Sequence, residues 1–224
     1  MGDIGDRPVG RQRLAENDRR ILDATLEILS AVGYDGLTIE AVARQAEVGR
    51  PTVYRRWSTK ASLALAAVAR SSGTPPTPDS GNLRDDLVAL QRHQMTLMNS
   101  ALFRTVAPAL TAHFSVDAQL AQSYVRDFVD LRRSAVCNVL ERAAIRGELP
   151  SDTDFDLIYD ALTGPLFYRA IARGQRLDRK FVEAIVDLVI HPFPDPQPAP
   201  RRRRSNQRLT STQNAGGPRS ASRE

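Results

Sequence analysis

Residues 48–60 read VGRPTVYRRWSTK and decide the fold of the chain around them. Four fixed positive charges, two Thr, a Tyr and a Trp lie within these thirteen residues. Proline is accepted in the first turn of a helix, so Pro51 is compatible with a short helix at about 50–56. Two interpretations follow: a solvated basic face, or a helix that docks on a polyanion.

The residues on either side predict a helix-turn-helix. LTIEAVARQA places a short helix after Thr38, a good N-cap residue, and AEV forms a tight turn before the second short helix. A first helix at about 17–32, ended by Gly33, and a last helix that runs to about residue 72 enclose the pair. The sequence therefore predicts a three-helix, helix-turn-helix DNA-binding domain over residues 17–72.

The side chains of the second short helix suit a major groove. Such a helix needs donors near its N-terminal end for base edges, and Arg50 and Thr52 meet this requirement. It also needs hydroxyls and cations at its flanks for phosphates, as Tyr54, Arg56 and Lys60 provide. Free backbone N–H groups at the start of the following helix add to the phosphate site. On spacing alone, a solvated face remains the other interpretation.

The stretch from about Asn17 to Leu65 resembles the N-terminal domain of the tetracycline-repressor (TetR) family. The resemblance lies in IL-x-A-x-L-x-I-L of the first helix, in GYDGLTIEAVARQAEVG, and most specifically in PTVYRRW-x-x-K. It implies a dimeric transcriptional regulator, usually a repressor, with a helical C-terminal domain that binds a small molecule. By this resemblance the base-facing positions are Arg50, Pro51, Thr52 and Arg55. The phosphate-contacting positions are Thr38, Tyr54, Arg56 and Lys60.

Two residues depart from the family pattern. Glu47 stands in the turn where the family usually has Gly, and a left-handed conformation costs a non-glycine residue about 1 kcal/mol. Glu47 also adds a negative charge near the side expected to face DNA. Gly49 stands where the family often has a Ser or Thr cap, and Gly caps a helix at a loss of a few tenths of a kcal/mol. The departures affect the seating of the recognition helix rather than the fold.

The rest of the chain predicts a second helical domain and two charged ends. GTPPTPDSG, residues 73–81, indicates a hinge or domain boundary, and residues 82–191 are helical in pattern with no alternating strand. The chain is expected to be all-α with about nine helices. Residues 1–16 are expected to form a flexible basic arm, and residues 192–224, rich in Pro and Arg, a disordered tail.

The last two helices are apolar over more of their circumference than one core covers. The second apolar face is either buried within the same chain or packs on the same helices of a second subunit, in an isologous four-helix interface. The residues expected at such an interface are Phe155, Ile158, Leu162, Leu166, Phe181, Ile185, Leu188 and Val189.

A ligand pocket is expected between the preceding helices, although Met and aromatic residues at helical spacing are more often core. The residues expected to line the pocket are Met95, Met98, Phe103, Phe114, Tyr124 and Phe128. A few polar groups would accompany them, from among His93, Gln94, Asn99 and His113. A hydrophobic or amphipathic small molecule fits such a lining.

The charge distribution restricts how the chain meets a polyanion. The net charge is +5, yet residues 201–224 hold seven Arg and one Glu, and residues 71–200 are net negative. The body is therefore not strongly basic, and DNA binding depends on local placement of charge. The RRRR run at 201–204 supports one alternative, a sequence-independent DNA-compacting protein.

Other chemistry finds little support in the sequence. The three His form no H-x-x-x-H pair, the acidic run 152–156 lacks the Gly and Glu of a calcium loop, and the single Cys137 lies in an apolar-periodic helix. No paired acid and base with a nucleophile occurs in residues 82–190, so a helical enzyme with a helix-turn-helix head is the less favoured alternative. No apolar run reaches a membrane span, and no signal-like segment begins the chain.

We therefore expect a cytoplasmic homodimer that binds a near-palindromic double-stranded DNA operator. A small-molecule effector is expected in the C-terminal domain, and no metal, cofactor, catalytic residue or membrane contact is expected. The sequence leaves open the operator, the effector, and whether the effector releases or promotes DNA binding.

Overall fold

The computed structural model describes residues 7–191, and the side chains from Leu14 onward. The helices are α1 Arg7–Gly36, α2 Ile39–Gln45, α3 Arg50–Tyr54, α4 Lys60–Ser71, α5 Leu83–Asn99, α6 Ala101–His113, α7 Ala118–Tyr124, α8 Asp130–Ile145, α9 Phe155–Phe167 and α10 Arg179–Ile190. π-Helical turns at Val125–Val129 and Tyr168–Ala172 join α7 to α8 and extend α9. Counted with these turns, the described chain holds nine helical units and no strand, which confirms the predicted all-α class.

The first helix begins earlier than the sequence pattern predicted. It starts at Arg7, so residues 7–16 are helical rather than part of a flexible arm. The correction has a simple cause: after Pro8, which a first turn accepts, the run RQRLAEN contains helix formers and no strong breaker. Gly33 breaks the helical geometry with φ 71, as predicted for the helix end. Residues 1–6 and the tail 192–224, with its Arg run at 201–204, lie outside the described residues.

The α2–α3 pair forms the predicted helix-turn-helix. The Thr38 side chain accepts a hydrogen bond from the backbone N–H of Ala41 at 3.1 Å and so caps α2. Val42 and Val53 are both fully buried and form the shared core of the two helices with Ala43. Because α3 has only five residues, it depends on this contact for its position.

The DNA-binding unit and the C-terminal domain share one continuous core. Helix α4 packs on α1 and on α6, and its residues Leu65 and Val68 join Phe103, Val106 and the rest of a single buried cluster. A second core lies among α5, α8, α9 and α10. Apolar side chains of α4 and α6 therefore pack in the same cluster, and we expect a movement of α6 to shift α4.

The Pro-rich segment 73–81 connects α4 to α5, and it is not a free hinge. The Arg142 guanidinium donates to the Pro78 carbonyl at 2.6 Å, and the backbone N–H of Ser80 donates to Asp86 at 2.8 Å. Pro75 is buried. These contacts fix the segment to the C-terminal domain, so relative motion of the domains is expected to pass through α4.

Candidate functional site

The exposed face of α3 carries the residues expected to read bases. Arg50, Pro51 and Arg55 are exposed and Thr52 is half-buried, while Val53 alone turns fully inward. The rotation of α3 about its axis that buries Val53 therefore turns the other side chains outward. Three of the four expected base-facing residues are therefore exposed and Thr52 is partly so, and base contact by the four residues stays a prediction.

Arg50 is not free in the unbound protein. Its guanidinium lies 3.4 Å from a Glu40 carboxylate oxygen, and both side chains are largely exposed. An exposed ion pair of this kind contributes about 0–1 kcal/mol, so a base edge with two acceptors competes with it readily. The pair holds Arg50 beside the start of α2 until DNA is bound.

The phosphate-contacting candidates lie around the starts of α2 and α4. The Lys60 Nζ donates to the Asp35 carbonyl at 3.4 Å and lies 4.4 Å from the centroid of the Tyr34 ring. Lys60 is thereby placed next to the loop that leads to Thr38. Since the Thr38 oxygen accepts the capping bond, its hydroxyl proton is still available for a phosphate oxygen.

Helix α4 has a capping box that leaves two donors for a ligand. Thr59 accepts from the backbone N–H of Ser62, and the Ser62 hydroxyl reaches back to Thr59. The backbone N–H groups of Lys60 and Ala61 point out of the first turn, where a phosphate is stabilised by the helix dipole. Tyr54, which is 48% exposed, supplies a hydroxyl from α3.

Arg56 has a structural contact that the sequence did not reveal. Its guanidinium pairs with Asp18 of α1 at 3.1 Å. Arg56 therefore ties the end of α3 to α1, and a phosphate contact by this side chain requires exchange of the Asp18 carboxylate. The phosphate contact itself stays a prediction.

The turn between α2 and α3 has the strained geometry expected of Glu47. Its φ is 52, the single positive value among the described non-glycine residues. The Glu47 carboxylate accepts a hydrogen bond from Arg20 of α1 at 2.8 Å, which offsets its charge near the DNA-facing side. Gly49 occupies the cap position of α3 in an extended conformation and gives no side-chain cap.

Glu47 provides a test of this strain. We expect Glu47→Gly to raise the free energy of unfolding by about 0.5–1 kcal/mol, because glycine adopts positive φ without a steric penalty. The matched variant Glu47→Gln loses the carboxylate but keeps the strained backbone, and its stability should equal or fall below that of the parent. Urea unfolding of the three proteins measures the difference. A Glu47→Gly protein less stable than Glu47→Gln would contradict the assignment.

Four of the six predicted pocket residues surround one small apolar cavity of about 20 Å³. Phe103, Phe114, Tyr124 and Phe128 line it together with residues of α4. The Tyr124 ring lies 4.8 Å from Phe114 and 5.3 Å from Phe128, centroid to centroid. Burial raises the pKa of the Tyr124 hydroxyl to about 12.

The two methionines do not line this cavity. Met98 is 1% exposed and belongs to the core, and Met95 packs against the same core. Both methionines belong to α5, and no residue of α5 lines this cavity. Ligand contact by the four aromatic residues stays a prediction.

The polar residues considered for the pocket divide into two groups. The Asn99 side chain exchanges two hydrogen bonds with the Leu177 backbone, at 2.8 and 3.0 Å, and His113 contacts the Ala109 carbonyl at 2.7 Å. These two side chains are held by the protein's own backbone. His93 and Gln94 line a separate cavity with Arg132.

Arg132 is the polar residue that the sequence analysis missed. It is 6% exposed, and its Nε donates to the Gln94 side chain at 3.1 Å. The signal was present in the sequence as an arginine within the apolar-periodic helix after residue 116. Periodicity alone did not show which of the neighbouring arginines, Arg132 or Arg133, turns inward.

The predicted interface residues require a correction. Ile158, Leu162 and Leu166 are at most 6% exposed and belong to the chain's own core, so they cannot face a partner. Phe155, Phe181, Ile185 and Val189 are half-buried. Only Leu188, at 69%, is largely exposed.

An outward apolar face exists nonetheless on the same two helices. Leu157 and Tyr168, at the two ends of the α9 unit, are 65% and 62% exposed, and Leu188 lies on α10, which packs beside it. Ala184 on α10 is exposed one turn before Leu188. The error has a physical cause: both helices are apolar on two sides, and spacing does not reveal which side faces inward.

Helices α2 and α3 are joined by a short turn, and the exposed second helix carries cations with phosphate donors at its flanks. These features define a helix-turn-helix DNA-binding protein. Family models identify it further. Residues 21–67 match the model described as bacterial regulatory proteins, tetR family, and residues 77–189 match the tetracyclin repressor-like C-terminal domain. The chain belongs to the TetR family of transcriptional regulators, which are not enzymes.

Individual relatives extend over nearly the same length. An HTH-type transcriptional regulator of Mycobacterium tuberculosis is 35% identical over 84% of this chain and 93% of its own. A DNA-binding transcriptional repressor TetR of Mycobacteroides abscessus is 34% identical over 76% of this chain and 90% of its own. The crystal structure of a TetR family transcription regulator matches with a TM-score of 0.67 and 29% identity, over 79% of this chain and 97% of that one.

No helix among residues 7–191 is long and apolar enough to cross a membrane. The same part of the chain holds no group of three or more His, Cys, Asp or Glu side chains placed to bind a metal ion.

Proposed function

We propose that this chain is a homodimeric transcriptional repressor that binds a near-palindromic operator and is controlled by a small molecule in its C-terminal domain. The observation that supports the proposal is the α3 surface, where Arg50 and Arg55 are exposed and Thr52 is half-buried, with Thr38 at the cap of α2 and Lys60 at the start of α4 as phosphate donors. Donors on a recognition helix read base edges, and the flanking groups fix its register on the backbone.

The dimer follows from the unpartnered apolar face. Leu157, Tyr168 and Leu188 expose large apolar side chains on adjacent helices, and a second copy of the same face covers them in an isologous four-helix contact. The DNA-binding domains of the two subunits then bind two half-sites about 34–36 Å apart, or somewhat more, along the DNA. A dimer of this kind acts where DNA is, in the cytoplasm of a bacterial cell.

Control by a small molecule is supported by the shared core. Leu65 and Val68 of α4 line the apolar cavity with Phe103 and Phe128. A ligand that enlarges this cavity moves α4, and Lys60 at the start of α4 moves with it. Repression as the direction of control is supported by the Mycobacteroides abscessus relative, which is a DNA-binding transcriptional repressor. The effect requires that the ligand bind one arrangement of the heads more tightly than the other.

Selection of genomic fragments by the purified full-length protein tests the proposal. We expect enrichment of a small set of fragments that share one near-palindromic sequence, bound by two chains. Binding without enrichment, with a steep dependence on salt, would instead favour the DNA-compacting alternative driven by the Arg-rich tail.

A further inference from the structure

The C-terminal domain has a second small cavity with several polar side chains in its wall. Its volume is about 20 Å³, and residues of α5, α8 and α9 line it together with Pro75 of the linker. The polar residues in its wall are Gln91, His93, Gln94, Arg132, Tyr159 and Thr163. None of these residues belongs to the DNA-binding surface or to the outward apolar face of α9 and α10.

Arg132 brings a positive charge into this wall without an acidic partner. Its Nη1 donates to the Phe128 carbonyl at 2.8 Å, its Nε donates to Gln94, and its guanidinium carbon lies 3.6 Å from the centroid of the Phe128 ring. Among residues 14–191, no carboxylate forms an ion pair with it. Burial lowers the pKa of Arg132, because the charged form is deprived of water.

Three polar atoms around the cavity have no hydrogen-bond partner among the described protein atoms. They are Nη2 of Arg132, Nε2 of His93 and the side-chain oxygen of Gln91. Each is buried, and a buried polar group without a partner is costly to the folded protein. The three side chains line one cavity, and Nη2 of Arg132 is an unpaired donor that an acceptor from outside the chain would satisfy.

The charge balance of the cavity selects the kind of group. Burial, with a smaller contribution from the Arg132 charge, lowers the pKa of His93, so the imidazole is neutral at neutral pH. The cavity therefore carries a single positive charge. One negative charge on a small planar group matches it, since a guanidinium binds a carboxylate through parallel N–H donors.

Phe128 links this polar cavity to the apolar one. Its ring stacks under the Arg132 guanidinium and also lines the cavity that holds Phe103, Phe114 and Tyr124. Phe128 belongs to the π-helical turn Val125–Val129, and such turns are frequent at functional sites. The Phe128 ring therefore connects Arg132, in the wall of one cavity, with the wall of the other.

We propose that the effector is an organic carboxylate with an apolar body, whose carboxylate binds Arg132 while its apolar body displaces the Phe128 ring and enters the aromatic cavity. This inference rests on the proposed function, because it names the effector class for that regulator. The ligand would act on DNA binding through Leu65 and Val68 of α4, which line the aromatic cavity.

Two matched pairs of probes test the proposal on the full-length dimer. Decanoate is compared with decanol and cinnamate with cinnamyl alcohol, by calorimetric titration. At least one carboxylate should bind about tenfold or more tightly than its alcohol, because charge-assisted hydrogen bonds are the stronger ones. If neither carboxylate exceeds its alcohol, including the case in which no probe binds, the proposal is overturned.

Variants locate the binding group. Arg132→Gln should abolish the preference for the carboxylate, and Arg133→Gln should keep it, since Arg133 lies one residue away, pairs with Asp156 and is exposed. A preference that survives Arg132→Gln overturns the proposal. Should Arg132→Gln fail to fold, Arg132→Lys keeps the charge without the planar fork and should retain only part of the preference; an unchanged preference overturns the assignment to Arg132.

Operator binding separates this inference from the proposed function. A protein that prefers its operator but binds no carboxylate more tightly than the alcohol remains a regulator, and only the effector class fails. A protein that binds the carboxylate through Arg132 but shows no operator preference retains the site, and the proposed function fails.

Discussion

Replacing Leu188 with Glu should convert the dimer into a folded monomer and lower its affinity for the operator by about 10²–10⁴-fold. Leu188 is 69% exposed in the single chain, and it lies on α10, which packs on the α9 helix that exposes Leu157. In a two-fold interface the new carboxylate is introduced twice, close to its own copy and out of water. Removal of an unpaired charge from water costs several kcal/mol, more than such a contact recovers.

The loss of DNA affinity follows from the loss of bivalency. A dimer binds its second half-site as an intramolecular event, which strengthens binding by about 10²–10⁴-fold over a single head. Sedimentation measures the mass, circular dichroism the helical content, and fluorescence anisotropy the operator affinity. The control is Val116→Glu, which places the same charge at an 81% exposed apolar position outside α9 and α10. A Leu188→Glu protein that remains dimeric would contradict the interface.

Arg50→Ala should lower operator affinity about 30-fold or more and weaken binding to random DNA far less. A bidentate contact to a base contributes about 1–3 kcal/mol, and the dimer makes it once in each half-site. On random DNA only a positive charge is lost, and that effect depends on salt. Competition titrations with operator and random duplexes measure the two losses separately.

Glu40 complicates this comparison, because it pairs with Arg50 at 3.4 Å in the free protein. Arg50→Ala leaves the Glu40 carboxylate unpaired near the phosphates and so adds a repulsion to the lost contact. The double variant Glu40→Gln/Arg50→Ala removes this repulsion. It should still show most of the loss of specificity that Arg50→Ala causes. Lys60→Ala serves as a contrast, since loss of a phosphate contact should weaken operator and random DNA about equally. Equal losses for Arg50→Ala would contradict its base-reading role.

The DNA-binding half could be predicted from sequence because its short helices depend on local signals. Thr38 caps α2 and Gly33 ends the first helix, and both are set by the residue's own backbone and hydrogen-bonding preferences. The left-handed turn at Glu47 opposes the preference of that residue and was predicted from the family pattern, which usually has Gly there. The ion pairs of Arg50 and Arg56 were not predictable, because Glu40 and Asp18 come close only after the helices pack.

The C-terminal half was harder because its helices are apolar on more than one side. Leu162 and Leu188 share a helical pattern typical of an interface, yet the first is fully buried and the second 69% exposed. The same ambiguity hid Arg132, whose inward direction depends on the register that the π-helical turn sets. Spacing fixes which residues share a face, whereas only packing decides which face is covered.

The measurement that tests the central claim most directly is the affinity of the full-length protein for an enriched genomic fragment and for random DNA of equal length. Fluorescence anisotropy at physiological salt gives both values, with Tyr54→Phe measured alongside. We expect a preference of about a thousandfold or more for the fragment, and weaker binding to both duplexes when the Tyr54 hydroxyl is removed. Equal binding of the two duplexes, unaffected by Tyr54→Phe, would contradict the assignment of α3 as a recognition helix.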